Sequence, residues 1–518
     1  MNPPLSSRRW PWCAAGMAAV ALFIVLVARF WHPVYGFTAF LQLDASCDAT
    51  KIAAFREHPV YVYRNTGGYD GLYYAQIAYH PLLDAPELEP AIDSLAYRAR
   101  RILPPALAWI LAAGNPAAIV HVYSLLNVAA WLALAALLWR LLEVHNLRGF
   151  LAWTGVMFSA GALSSVRNAL TDLIALVILA AGLLALERGR IRGAIGALAA
   201  AGLARETSLA ALPGWWERPW ISWKNGVRSL VAIAPLVAWL MYVRSRAGAN
   251  SGLDNFTVPL IGYLEKWWSA LEALHEPGNG LLAWSTVLAT FALGVQAVFF
   301  FTSRRIDDRW WRVGVVYAVL MLWFGGAVWA GLPGAATRVL LPLCLAFNIV
   351  AHRTRAALAW LIAGNLTVVA GFAVILDVHE DPRELAAARG HGIAVVATLG
   401  DGWYGREHTS RHAWSWCGDK GVVTFETWPK ISGRVQLEFS ARGIAPCTLT
   451  ARAGGQTRWS GAVTTKRGET QNIPVVVTDG RAEVEFSTDL PAVRAGANGD
   501  PRALAFALYD ARIVVTEP

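Results

Sequence analysis

Thr66-Gly67-Gly68-Tyr69-Asp70-Gly71-Leu72-Tyr73-Tyr74-Ala75-Gln76-Ile77-Ala78, followed by Tyr97-Arg98-Ala99-Arg100-Arg101-Ile102-Leu103-Pro104-Pro105, is the stretch on which the reading of the chain turns. It sets a carboxylate on a glycine-flanked turn beside aromatic rings. Three arginines then arrive just as the chain re-enters apolar sequence. A carboxylate so placed can take a proton from a hydroxyl, and guanidinium groups can hold a phosphate bidentately. An aspartate between glycines is also a common turn former. Here Leu72 to Ala78 reads as an amphipathic helix lying on a membrane surface, with Asp70 at its N-cap. Asp44 is the second candidate acid. Asp48, Asp84 and Asp93 read as solvated loop residues, and His80 as structural.

Working outward, composition sets the class. Of 518 residues, 56% are hydrophobic and only 16% charged, and the mean hydropathy is +0.40. These values describe a polytopic membrane protein rather than an ordinary soluble domain. The net charge of +9 does not argue for nucleic acid, because the arginines sit between apolar runs instead of on one polar face. The five cysteines have no Cys-x-x-Cys spacing, which removes the usual zinc patterns. Cys417 and Cys447 are available for a disulfide if their domain lies outside.

In chain order, Arg8 and Arg9 precede an apolar run from Pro11 to Phe30, long enough at about 1.5 Å per residue to cross a bilayer core. No small-residue cleavage site follows, so this is read as a retained first span with its N-terminus in the cytoplasm. Residues 31–101 form a long outer loop. Residues 102–113 are too short to span and are broken by Asn115-Pro116. Further spans are expected at 117–142, 149–163, 170–187, 228–243, 281–302, 312–331, 335–351 and 356–376. The basic links Arg188 to Arg192, Arg304 to Arg312 and His352 to Arg355 are assigned to the cytoplasm. A single crossing at 193–211 would invert every later loop, so this segment is read as a broken hairpin with Arg205-Glu206-Thr207 near its tip. The membrane domain is thus 1–380, followed by a linker at 381–399. Residues 400–518 alternate apolar and polar positions between Gly, Asp, Asn and Pro turns, as in Val435-Gln436-Leu437-Glu438-Phe439, and are read as an outer β-sandwich.

This topology collects arginines where positive charge is disfavoured. Arg98, Arg101, Arg167, Arg205 and Arg338 all open toward the outer side, and phosphate coordination is the reading that explains them as a set. Pairing with local carboxylates, such as Arg205 with Glu206 or Arg167 with Asp172, is the other. Tyr69, Tyr73, Tyr74 and Gln76 are placed along the substrate.

The order of first span, outer loop with Tyr69-Asp70-Gly71-Leu72-Tyr73-Tyr74-Ala75-Gln76-Ile77-Ala78, then Tyr97-Arg98-Ala99-Arg100-Arg101-Ile102-Leu103-Pro104, resembles the GT-C superfamily of integral-membrane glycosyltransferases. Within it the chain is similar to bacterial relatives of the glycolipid-anchor mannosyltransferases and to proteins of cell-surface glycopolymer formation. The resemblance implies a GT-C-like polytopic α-helical fold, of about 10–12 membrane helices counting broken ones. It also implies a bacterial inner (cytoplasmic) membrane location and a polyprenyl-phosphate sugar donor with a glycan or glycolipid acceptor. The catalytic acid of the first outer loop maps to Asp70, and the late arginine maps to Arg338 in Thr337-Arg338-Val339-Leu340-Leu341-Pro342. Tyr69 stands where Trp is common. No adjacent acidic pair stands in the loop, so no metal ligand set is assigned, with a divalent metal kept as an alternative. Trp403, Tyr404, Trp414 and Trp416 resemble part of an accessory module of surface-polysaccharide proteins, and are candidate glycan contacts or else packing residues of the sandwich. Two other function classes stay open: a flippase or exporter of a lipid-linked glycan, and a non-catalytic glycopolymer assembly subunit.

Overall fold

The computed structural model describes residues 10–248, 255–276, 278, 280–378, 380–494 and 502–517. Arg8 and Arg9 lie outside the described residues. The chain divides into two compact units. One holds residues 1–30, 37–52 and 65–378 and is helical. The other holds residues 31–36, 53–64 and 379–518 and is built on β-structure.

In the helical unit six helices among the described residues are long and apolar enough to cross a membrane: Trp10–Ala28, Pro116–Leu141, Leu147–Arg167, Trp223–Ala247, Gly280–Thr302 and Ala357–Leu376. Their starts follow local chemistry. Asn115 accepts a hydrogen bond from Ala117 N ahead of Pro116, which needs no donor at the first helical position. Asn146 caps Gly149 N and Ser222 caps Asn225 N in the same way. Asp172–Glu187, Ile191–Ala204 and Leu341–Ala351 are shorter apolar helices.

Four of the expected spans are revised, the one at 356–376 being interrupted at Asn365-Leu366 between Ala357–Gly364 and Thr367–Leu376. The segment expected at 312–331 is a helix over Arg309–Leu322 and again as the short turn Gly326–Trp329, because residues 323–325 leave the helix beside the backbone of 255–260. The segment expected at 335–351 is broken at Leu340, between Ala336–Val339 and Leu341–Ala351. Pro342 lies at the new helix start, where a missing N–H costs nothing. The segment expected at 149–163 is kinked instead of continuous, with Leu147–Met157 and Ala160–Arg167 meeting at Ser159, which caps Ala162 N. The break foreseen in 193–211 falls at Arg205, whose extended backbone (φ −156°, ψ 119°) separates the helix Ile191–Ala204 from the 3₁₀ turns Glu206–Trp215.

The helix after Asp70 runs Gly71–Ile77. It does not lie open on a surface: Leu72, Tyr74, Ala75, Gln76 and Ile77 are all buried. Its start is pressed against Asn168, so that a Cβ on Gly71 would fall 2.3 Å from the Asn168 carbonyl oxygen. Gly67 and Gly68 precede it at φ +75° and +70°, conformations that glycine adopts without steric penalty.

Among its described residues the second unit carries eleven main strands: β1 Glu384–Gly390, β2 Ile393–Leu399, β3 Trp403–His408, β4 Ala413–Cys417, β5 Lys420–Trp428, β6 Gly433–Gly443, β7 Cys447–Ala453, β8 Gln456–Val463, β9 Gln471–Val477, β10 Arg481–Thr488 and β11 Phe506–Glu517. They form two antiparallel sheets, β8-β7-β10-β5-β2-β1 and β9-β6-β11-β4-β3. One core joins them, filled by alternate residues such as Val435, Leu437 and Phe439 of β6 and Val484 and Phe486 of β10. This is the expected sandwich with a corrected boundary, since 384–399 is two strands rather than a linker. On β2, Ile393, Val395, Ala397 and Leu399 face the main core, while Ala394 and Val396 pack with Val34 on the other side. A strand buried on both faces gives a continuous apolar run, which periodicity alone does not identify.

Candidate active site

The loop, the break at Arg205 and the turn Ala336–Val339 converge within the helical unit on one cavity of about 740 Å³. Its wall carries Asp70, Asp93 and Glu206 and the five arginines Arg98, Arg100, Arg101, Arg205 and Arg338, together with Tyr69 and Tyr73. Residues far apart in sequence thus form one charged chamber. Phe256, Phe324, Ala327 and Val328 line a less polar side.

Asp70 stands at the N-cap position yet its side chain makes no cap hydrogen bond. The carboxylate instead meets Arg98, with Nη1 2.8 Å from Oδ2. Arg98 also donates from Nε and Nη2 to the two oxygens of Asp93 at 3.0 and 2.7 Å, and its guanidinium lies 5.2 Å from the Tyr73 ring centre. Burial opposes its charge, but Asp93 and Asp70 outweigh burial and raise its pKa, so it stays charged. Asp93, read as a solvated loop residue, is therefore part of the wall.

Arg101 forks onto Glu206, with Nε to Oε2 at 3.0 Å and Nη2 to Oε1 at 2.8 Å. It also donates to the Tyr74 and Tyr97 hydroxyls at 2.7 and 3.1 Å. Deeper in, Asp172 sits between two arginines: Oδ1 is 2.5 Å from Arg205 Nη1 and Oδ2 is 3.5 Å from Arg338 Nη1. The Asp172 side chain is 1% exposed. Both contacts are ion pairs by distance, but the Asp172 oxygens lack aligned hydrogen bonds, and Arg205 Nε has no partner. Arg338 Nη2 donates to the Tyr69 hydroxyl at 2.8 Å. Among the described residues Arg100 has no carboxylate within ion-pair distance, only the Tyr97 ring at 5.4 Å.

Four expected site residues fall elsewhere. Arg167 donates from Nε and Nη2 to the Asp377 carbonyl and stacks on Phe30, away from the cavity wall. The Asp172 partner once considered for it belongs to Arg205 and Arg338. Gln76 is buried, accepting from Ile52 N and donating to the Ala91 carbonyl. Tyr74 is buried behind the wall and supports Arg101. Asp44 is used by the loop itself, because it accepts from the backbone N–H and hydroxyl of both Ser46 and Thr66. Those bonds, the Ser46 N–H foremost, outweigh burial and hold its carboxyl well below the usual carboxylate range.

Asp44 is thus a structural acid, and its effect should appear in stability. Asp44→Asn is expected to lower loop stability by about 0.5–1.5 kcal/mol, because a neutral amide accepts less strongly from the part-buried Ser46 and Thr66 donors than the carboxylate does. Because the folded pKa is depressed, the stabilisation is present above the unfolded value of about 3.9 and is lost as pH falls through the folded value. Thermal unfolding at pH 7 and at acid pH measures this: the variant should be weaker at pH 7, with the gap closing on acidification.

In the sandwich, Trp403 packs edge-on to Phe486 and Phe506 at the main core. Trp416, only 7% exposed, lies under the Arg442 guanidinium at 4.8 Å. Trp414 stacks on Tyr509 at 5.4 Å and donates to Glu407, and the Tyr404 hydroxyl bonds both the N–H and the carbonyl of Ala503. Tyr404, Trp414 and Trp416 share a small cluster apart from the main core, so packing accounts for these rings. Cys417 and Cys447 are free thiols, the first buried.

Asp172, Glu206 and Asp93 were missed as site residues. Glu206 had a signal, its position beside Arg205 at a break in apolar sequence. Asp172 had one too, an acid heading the apolar run Leu173-Ile174-Ala175-Leu176-Val177, where an unpaired charge is costly. No group of three or more potential metal-ligating side chains occurs among the described residues, and the Arg98 guanidinium occupies the position between Asp70 and Asp93.

No family model matches the chain. No curated protein matches it. Among solved structures it matches the carbohydrate-binding module TmCBM61, solved with beta-1,4-galactotriose, at 13% identity and a TM-score of 0.15, over 24% of this chain and 88% of the module. At that score the likeness carries no argument about fold or ligand.

Proposed function

We propose that the chain is a GT-C-like inverting glycosyltransferase. It transfers a sugar from a polyprenyl-phosphate donor to a glycan or glycolipid acceptor at the outer face of a bacterial cytoplasmic membrane. The observation that carries this reading is that Asp70, a helix-start carboxylate not used as a cap, shares one cavity with five arginines. In the reaction the acceptor oxygen forms a bond to the anomeric carbon from the face opposite the phosphate. The bond from that carbon to the phosphate oxygen breaks, Asp70 takes the acceptor proton, and the polyprenyl phosphate leaves with its added charge facing the guanidinium groups. The six long apolar helices are consistent with a membrane setting for such a donor.

Arg100 adds a detail that residue spacing did not offer. It is the wall arginine free to meet a phosphate without first losing a carboxylate, so it is the natural first contact. Purified protein incubated with a panel of polyprenyl-phosphate sugars should release lipid phosphate in the presence of a glycan acceptor. Arg100→Gln should weaken donor binding by about 1.5–3 kcal/mol, the range for a hydrogen bond to a charged group. No release with any donor would remove the transferase reading and leave a flippase as the better account of the arginines.

A further inference from the structure

Beside the cavity, residues 255–260 and 322–325 run together as a paired segment. Gly325 N donates to the Asn255 carbonyl at 2.8 Å, Thr257 N to Trp323 at 2.9 Å and Leu260 N to Leu322 at 2.7 Å. One end of this segment faces the charged chamber, where Phe256 and Phe324 line the wall with ring centres 6.3 Å apart. The other end opens on a different space. Leu260 and Leu322 line an apolar groove of about 390 Å³ together with Tyr263, Phe291, Val298 and Phe301. Phe256, Leu260, Val298 and Phe301 are each 45–50% exposed, so both ends of the path present apolar surface to the surroundings.

A charged chamber joined by one short paired segment to an apolar groove fits an amphiphile with an anionic head and a hydrocarbon tail. We infer that the groove between Ile261–Glu272, Gly280–Thr302 and Arg309–Leu322 seats the isoprenoid chain of the lipid phosphate whose head lies among the arginines, with Phe256 and Phe324 as the sill between them. The inference rests on the proposed donor class and adds where its tail goes. A second apolar groove, of about 480 Å³, lies between Trp10–Ala28 and Pro116–Leu141. Neither groove shares a wall residue with the chamber, but the paired segment 255–260 and 322–325 contributes residues to the chamber and to the first groove and none to the second.

The test uses the full chain in lipid nanodiscs and a polyprenyl phosphate with a photoreactive group near the tail end. Label is expected on residues 260–263 and 291–301, suppressed by unlabelled polyprenyl phosphate and not by phosphatidylglycerol. Label confined to Trp10–Ala28 and Pro116–Leu141, or suppressed equally by phosphatidylglycerol as for annular lipid only, overturns the inference. Val298→Trp, which fills the groove outside the charged wall, should raise the Kd for the long-chain phosphate about tenfold or more, a change of about 1.4 kcal/mol. It should leave a short-chain, water-soluble analogue unaffected. Equal effects on both ligands, or on neither, also overturn it. Because this binding is read without sugar transfer, tail labelling in the groove with no turnover would retain the lipid site and reject only the transferase chemistry.

Discussion

Asp70→Asn is expected to lower sugar transfer by about 10²-fold or more, the usual contribution of a positioned general base, while donor binding survives. The substitution keeps size and hydrogen-bonding shape. It does not disturb the start of Gly71–Ile77, because the Asp70 side chain caps no backbone N–H. It removes one of the two carboxylates on Arg98 and leaves the bidentate Asp93 pair in place. Structure and chemistry are therefore separable at this position. Steady-state transfer and direct donor binding, measured on the same preparation, check it, and Asp44→Asn serves as the control because its carboxylate is committed to Ser46 and Thr66. If Asp70→Asn transfers at the parent rate, the base is not Asp70.

The second large effect concerns stability. Asp172→Asn should destabilise the helical unit by about 3–5 kcal/mol, because it strands the guanidinium groups of Arg205 and Arg338 without their shared counter-ion. Removing one arginine at the same time should return part of that loss, since a single buried cation is then left instead of two. Resistance to proteolysis and thermal unfolding in nanodiscs measure both variants. An unchanged midpoint for Asp172→Asn would mean that water reaches the triad and that the pairs have little weight, as at exposed sites.

Much of this arrangement was legible from residue types. The glycine-flanked Asp70, the three arginines at the return to apolar sequence, the break at Arg205 and the late Arg338 all lie on the cavity wall. Their chemistry is unusual for their surroundings, and that makes such residues readable without a fold. What stayed hidden was partnership. Asp172 meets arginines from the Ile191–Ala204 break and from Ala336–Val339, and spacing along a chain does not reveal which distant charge closes a pair. Arg167 was misplaced for the complementary reason: a backbone carbonyl, that of Asp377, satisfies it, and every residue offers a carbonyl. The helix at Gly71–Ile77 alternates in character as a surface helix would, but the protein covers it on nearly every side. Strand β2 was lost to the linker because burial on both faces removed its alternation.

The pairing inside the chamber also bears on how the site behaves at a distance. Five unpaired arginines would project a strong positive field. Four of them already face carboxylates, Asp70, Asp93, Asp172 and Glu206, so that among the described residues a single guanidinium, that of Arg100, is left uncompensated. Paired charges behave as small dipoles whose influence fades within a Debye length of about 10 Å at 0.1 M salt. The chamber is therefore a quiet one: it exerts little steering on anions dissolved in the aqueous phase, and apart from Arg100 it yields its guanidinium groups only to a ligand already close enough to displace a carboxylate.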